Sequence, residues 1–462
     1  MPDPDEEAIC PLEFRYGRSE SREIFSRRAR LRRWLTVEAA LARALSEEGV
    51  IPRAAAQAIA RAARPGVVSQ ERVDALERET QHDVMALTRA LAEKSGVGAP
   101  YVHLGATSND ILDSALGLEL REAAALLGAD LDRLLAELLE QADRHAGTAM
   151  VGRTHGQHAV PLTLGYKFAT FAAEFLRHKE RLRQMVPRLV VGKMSGAVGT
   201  GASFGPLAAR IEVRTMRLLG LAADPAPTQI VGRDRLAEFA GWIALVATSS
   251  DRLSTEIRNL QRTEIAEVSE PFQEGSQVGS STMAQKRNPV RSENVSSLAR
   301  FLRALPGPAY ENMVQWHERD LANSANERIL YSHGVILLDH ILNELTGIVA
   351  DLRVDPARME ANLARTGGAV MAEQVMLALT ERGMPRSEAH EVLRKLTRDL
   401  RPEDGDTLLS RARHDPVLRA RFSSEELERL VNPTGYVISA HRKTQSVLRE
   451  LRRRVKGSSG PA

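Results

Sequence analysis

Apolar residues recur at three- and four-residue intervals over long stretches of this chain, a spacing that predicts helices with one buried face. Over 26–49 they fall at Leu31, Trp34, Leu35, Val37, Leu41 and Leu45, and a glycine closes the stretch. Over 114–145 the pattern repeats with Leu116, Leu120, Leu127, Leu131, Leu134 and Leu138 among others. Similar stretches cover 166–186, 236–263 and 326–354. Several exceed the mean helix of ~11–12 residues. Long helices without sustained heptads, joined by Gly-rich loops, predict an all-α bundle core and not a lone coiled coil. No alternating pattern of comparable strength predicts strands, and no internal repeat is visible. From Pro356 the helices shorten and charge rises. That stretch predicts a smaller terminal domain with a basic tail over 452–462.

Composition narrows the class without naming a chemistry. The 462 residues are ample to bury a core, and 43% hydrophobic with 27% charged residues is ordinary for a globular protein. The 63 basic and 60 acidic residues leave a net charge of +3, so charge offers no argument for nucleic acid or membrane partners. A single cysteine, Cys10, excludes an internal disulfide and suits a reducing compartment. There is no run of 18 apolar residues, and the acidic start lacks the basic opening of a signal peptide. A cytoplasmic protein is expected.

The candidate chemistry lies between the helical stretches. Gly279-Ser280-Ser281-Thr282-Met283-Ala284-Gln285-Lys286-Arg287-Asn288-Pro289 has almost nothing to bury and reads as a mobile, solvated strip. An exposed connector explains the composition. An active-site lid explains it too, with a base on the strip and a Lys and an Asn to grip anionic oxygens. His103 to Asp110 (HLGATSND) precedes a long helix. Capping accounts for one or two of its polar residues, whereas hydroxyls and N–H groups at a helix start also suit a carboxylate. Thr154-His155-Gly156-Gln157-His158 carries two histidines three apart, without the spacing or the Glu of a zinc helix, so no metal is expected. His155 at a helix end is a natural general acid near pH 7, or else a core histidine. Gln81-His82-Asp83 reads as a cap or as part of a site. Arg319 and Arg328, with Ser324 between them, offer either a solvated charged face or a grip on phosphate. The glycine-dense 191–205 is not a dinucleotide fingerprint, since no strand precedes it, and reads as a loop packed close to a ligand.

The strip 279–289 resembles the GSSxMPxKxNP signature of the fumarase/aspartase superfamily, with Ala284 where the pattern has proline. Within that superfamily the chain resembles the adenylosuccinate lyase family over nearly its whole length. The resemblance runs through FRYGRSE, HDVMALT, YVHLGATSNDILDSA, VGRTHGQHAVPLTLG, VGKMSGAVGT, IRNLQRTEIAEVSEPF, VGSSTMAQKRNPVRSEN and HERDLANSANER. Carboxymuconate cycloisomerases tend to carry Trp for the His of THGQ. Ala284-Gln285, Ala325 and Ser332-His333 depart from the commonest family residues, and the last pair leaves room for a paralog with another substrate.

That resemblance implies a three-domain helical subunit cut at 1–113, 114–360 and 361–462, with a long central bundle. It implies a homotetramer whose active sites each draw on three subunits, no cofactor, and a small-molecule succinyl nucleotide as substrate. The implied reaction, in purine nucleotide synthesis, cleaves the C–N bond of adenylosuccinate, and of the related succinylaminoimidazole carboxamide ribotide, releasing fumarate. A fumarate-releasing paralog for another N-substituted or nitro succinate is the second reading, and a non-catalytic homologue the third. Ser280 is the expected base, His155 the acid, and Lys286 and Asn288 the stabilisers of the carboxylate charge. His82, Thr107 and Ser108 are expected on the succinyl part. Arg15, Tyr16, Arg319, Ser324 and Arg328 are expected on phosphate and ribose, with Gln81, Asp83, Gln229, Ser281, Arg287 and Asn294 lining the site.

Overall fold

The computed structural model describes residues 10–272, 282–283 and 285–457, and they form a mostly helical protein. Seven helices position the polar clusters: α1 (Arg27–Glu47), α2 (Asp83–Ser95), α3 (Ser108–Arg144), α4 (Leu164–Leu189), α5 (Asp234–Leu260), α6 (Val290–Leu302) and α7 (Ser324–Ala350). Their ends follow local chemistry. Ser26 caps α1 by accepting the Ala29 N–H at 3.1 Å, and Thr163 caps α4 by accepting that of Tyr166 at 3.1 Å. Helix α3 starts before its apolar pattern does, because Asp110 reaches back to the Thr107 N–H at 2.8 Å.

Helices α3 to α7 pack on one another as a bundle, with Leu127, Leu131, Leu134 and Leu138 of α3 and Phe175 of α4 fully buried in it. Burying each such side chain stabilises the fold by about 1.5–3 kcal/mol. Gly165 opens α4 against the end of α3, where a Cβ would sit 2.4 Å from the Ala142 carbonyl oxygen, so no side chain fits. Helices α1 and α2 share a second cluster with the start of α3 and with residues 190–221, and a third cluster lies beyond 372. Among the described residues no helix is long and apolar enough to cross a membrane.

The hydrophobic pattern predicts no strand of note, yet a hairpin stands between α3 and α4. Strand β1 (Ala149–Thr154) pairs antiparallel with β2 (Gln157–Thr163), joined only by His155 and Gly156. Both turn residues have positive φ, +54° and +74°, the mark of a primed two-residue hairpin turn. His155 therefore sits at a hairpin tip and not, as expected, at a helix end.

Candidate active site

Four polar clusters of the sequence each contain a residue other than glycine in the left-handed region: Gln81, His103, His155 and His317. Only six such residues occur in the described chain, so backbone strain concentrates at these clusters, as it does at functional sites.

Several of these clusters meet at a cleft of about 220 Å³ lined by residues of α1, α3 and α7 and by the segment before α7. Arg233, at the foot of α5, is buried and doubly bidentate. It donates to Asp113 at 2.9 and 3.0 Å and to Glu327 at 2.9 and 3.2 Å. Burial opposes its charge, but the two carboxylates outweigh burial and raise its pKa further. Arg319 is held differently. Its Nη1 donates to Gln229 Oε1 at 3.0 Å, and to the Asn109 amide oxygen at 2.8 Å when that amide is turned toward it. Burial, with Arg233 nearby, lowers its pKa from the ordinary value while leaving it a cation. Arg328 is exposed, and its nearest carboxylate, Asp83, lies at 3.6 Å. Ser324 and Ser332 line the same cleft, as does Tyr331, whose hydroxyl is buried without a hydrogen-bond partner.

Two helix starts flank the cleft. His82 caps α2, its Nδ1 accepting the Met85 N–H at 3.2 Å. That bond fixes the proton on Nε2, which stays available to donate. Thr107 caps α3, followed by Ser108 and then Asn109 of the cleft. Asp110 behind them is wholly buried. It accepts from Lys193, from the N–H of Ser195 at 3.0 Å and from that of Gly196 at 3.0 Å. The glycine-dense segment is thus fastened to the start of α3. His103 bonds Glu38 at 2.6 Å; burial works against the charged ring, but Glu38 prevails and raises its pKa. Gln81 turns its amide back onto the Arg78 carbonyl at 2.8 Å.

Other expected site residues lie elsewhere on the chain. Tyr16 meets His340 of α7 edge-on at 5.2 Å, with the Arg15 guanidinium 6.0 Å from the Tyr16 ring. His340 in turn faces the Asn294 amide at 3.3 Å. Asn294 is on α6, and Lys286 and Asn288 are just upstream of that helix, with Arg287 over the Phe272 ring at 5.1 Å. His155 is exposed at its hairpin tip and is not among the residues lining the cleft. Ser280 and Ser281 lie outside the described residues. Arg319 and Arg328 do not share one helical charged face, since α7 begins only at Ser324 and Arg319 lies before it. Asp113, Arg233 and Tyr331 were not singled out in the sequence, and Glu327 only as the possible partner of Arg328 on a solvated charged face. As ordinary charged or aromatic residues within helical stretches, or one residue before one, they carry no local signal.

Comparison with known proteins gives the family. Residues 13–302 match the Lyase family, and residues 368–447 match the adenylosuccinate lyase C-terminus. The adenylosuccinate lyase of Pyrococcus horikoshii is 46% identical over 441 residues, which is 96% of this chain and 97% of that protein. That of Methanothermobacter thermautotrophicus is 44% identical over 451 residues, 96% of this chain and 99% of that one. Among solved structures, a fumarate lyase from Mesorhizobium sp. is 32% identical with a TM-score of 0.86, covering 94% of this chain and 98% of its own. A 3-carboxy-cis,cis-muconate lactonizing enzyme from Pseudomonas putida is 35% identical with a TM-score of 0.86, covering 96% and 99%. With relatives this similar over nearly its whole length, the chain belongs to the adenylosuccinate lyase family.

Proposed function

We infer that the protein cleaves adenylosuccinate to AMP and fumarate, and acts likewise on the related succinylaminoimidazole carboxamide ribotide of purine synthesis. The observation that carries this reading is the contrast between cations in the cleft. Arg233 is neutralised by two carboxylates, whereas among the described residues Arg319 is held by the neutral amides of Gln229 and Asn109. Arg328 stands beyond hydrogen-bond distance of Asp83. Two guanidinium groups beside Ser324 thus keep charge available for an anion, and a nucleotide phosphate suits them. A small succinate would leave that charge unused.

In the proposed reaction Ser280 removes the proton from the carbon next to a carboxylate of the succinyl part. The electron pair first spreads into that carboxylate, where Lys286 and Asn288 stabilise it. It then forms the C=C bond of fumarate as the C–N bond breaks, and His155 protonates the departing nitrogen. His82, Thr107 and Ser108 hold the succinyl group.

We further propose that the sites are assembled from three subunits of a homotetramer. Arg15 and Tyr16 sit level with His340, twelve residues beyond Arg328 on the same helix, or roughly 18 Å at 1.5 Å per residue. That gap exceeds an arginine's reach, so both pairs can grip one phosphate only if they come from different chains. His155, exposed elsewhere, would come from a third. Exposed Leu245, Tyr310, Val314, Trp316 and Ile329 supply apolar surface for such an assembly.

The test is direct: purified protein is given adenylosuccinate while AMP and fumarate are measured, and its mass in solution is measured alongside. Fumarate release from another substituted succinate, with adenylosuccinate untouched, sinks the reading.

A further inference from the structure

Asp130 of α3 and Asp339 of α7 form a buried carboxylate pair that the mechanism does not use, with side chains 1% and 0% exposed. Asp339 accepts from the Arg18 backbone N–H at 3.3 Å, from Arg18 Nε at 2.9 Å and from the Ser21 hydroxyl at 2.9 Å. Arg18 Nη2 also reaches Asp130 at 2.8 Å. On the far side, Arg133 pairs with Asp130, and Asn343 donates to Asp339 Oδ1 at 3.2 Å. The two carboxylates share their donors, since Arg18 Nη2 and the Asn343 amide each reach both, and Asp130 Oδ2 is buried without a hydrogen-bond partner among the described residues.

The segment held here is the one carrying Arg15 and Tyr16. Ile336, Asp339, His340 and Asn343 fall at i, i+3, i+4 and i+7 and make one stripe of α7. Gly17, at φ +80°, lies so close to this stripe that a Cβ would meet Ile336 Cγ2 at 2.3 Å. Tyr16 rests on His340 and Arg18 on Asp339. Between two short helices, Pro11–Phe14 and Ser19–Ile24, residues 15–18 take their geometry from these contacts.

We propose that Asp339, backed by Asp130, is a positioning residue for nucleotide binding: by fastening Arg18 and Ser21 to α7 it sets where Arg15 and Tyr16 point. The proposal rests on the reading of Arg15 and Tyr16 as phosphate and ribose grips. Burial and the adjacent Asp339 charge push Asp130 up to about 7. Burial opposes the charge on Asp339 as well, but Arg18 and Ser21 hold it below its ordinary range. The charged groups facing the pair are Arg18 and Glu20 from the N-terminal segment, Arg133 from α3 and His340 from α7. Because the folded pKa of Asp130 is raised, its contribution is complete at low pH and is lost as pH rises through about 7. Two bare carboxylates then repel, and the clamp loosens.

The experiment measures KM, kcat and competition by AMP for the intact protein on adenylosuccinate, from about pH 6 to about pH 9 across the titration. Asp339→Asn is expected to raise KM by about tenfold or more with a smaller change in kcat, and to weaken AMP to a similar degree. Asp130→Asn cannot ionise, so it should hold KM low and flatten the rise seen in the parent above pH 7. An unchanged KM in Asp339→Asn, or a parental rise that persists in Asp130→Asn, overturns the proposal. Should Asp339→Asn fail to fold in a thermal melt, Ser21→Ala removes a single donor and decides instead: a severalfold higher KM supports the clamp, and an unmoved KM refutes it. A parent inactive on adenylosuccinate and blind to AMP removes the functional reading itself, whereas an active parent with unmoved variants removes only the clamp.

Discussion

In the cleft, Arg233 is locked by Asp113 and Glu327, and Arg319 leans on amides from two other segments, whereas His155 stands exposed on a two-residue turn whose shape owes nothing to its ring. The cleft is stabilised by contacts within the chain that carries it. The hairpin tip leaves its imidazole exposed. The proposed division of labour follows from this difference: the Arg319 part of the grip is built inside one chain, and proton transfer waits for assembly. Substitutions in the two regions should therefore fail differently, the first losing fold or affinity and the second losing turnover alone.

The largest effects are expected where turnover alone is lost. Ser280→Ala and His155→Gln should each cut kcat by about 10²–10⁴-fold. For His155→Gln the melting temperature should hardly move, because the side chain buries little. Mixing the two inactive proteins and allowing subunit exchange should restore part of the activity; proven exchange without recovery would place both residues of a site on one chain.

Next is Asp113→Ala, which strands a buried Arg233 and should lower stability by about 3–5 kcal/mol in denaturant titration. A loss as small as that of a surface ion pair would mean that Arg233 finds other partners. Arg319→Ala and Arg328→Ala should weaken adenylosuccinate by roughly 1.5–3 kcal/mol each, read as a rise in KM, and should hardly affect a phosphate-free succinyl nucleoside. Equal losses on both ligands would deny them the phosphate. The smallest effect belongs to Gly156→Ala. With φ at +74° and open space around the added methyl, strain alone should cost about 1 kcal/mol. Its kcat should fall further than its stability, because the turn aims His155.

The long helices α1, α3, α4, α5 and α7 were legible because an apolar stripe repeats along each one, and their predicted limits fall within a few residues of the observed ones. The exception is α3, whose first turn is polar: Thr107, Asn109 and Asp110 begin it through capping, before any leucine appears. The hairpin was hidden for a physical reason. Its strands are short, β2 contains Pro161, and their burial does not alternate cleanly, so no two-residue period stands out. The polar clusters were visible as breaks in helical spacing. What linked them was not visible, since Asp113 meets Arg233 across 120 positions and Arg233 meets Glu327 across 94. Left-handed geometry at His103, His155 and His317 was equally silent, because histidine gives none of the warning that glycine does.

Helix α7 also acts as a ruler. Ser324, Glu327 and Arg328 mark one end of its scale, and Ile336, Asp339 and His340 mark the other. Inserting a single residue near Gly334 would turn the far marks by about 100° and carry Asp339 away from Arg18 without touching either grip. The spacing of this helix is thus as much a part of the recognition surface as any side chain on it, and length variation should be tolerated in the loops around it long before it is tolerated there.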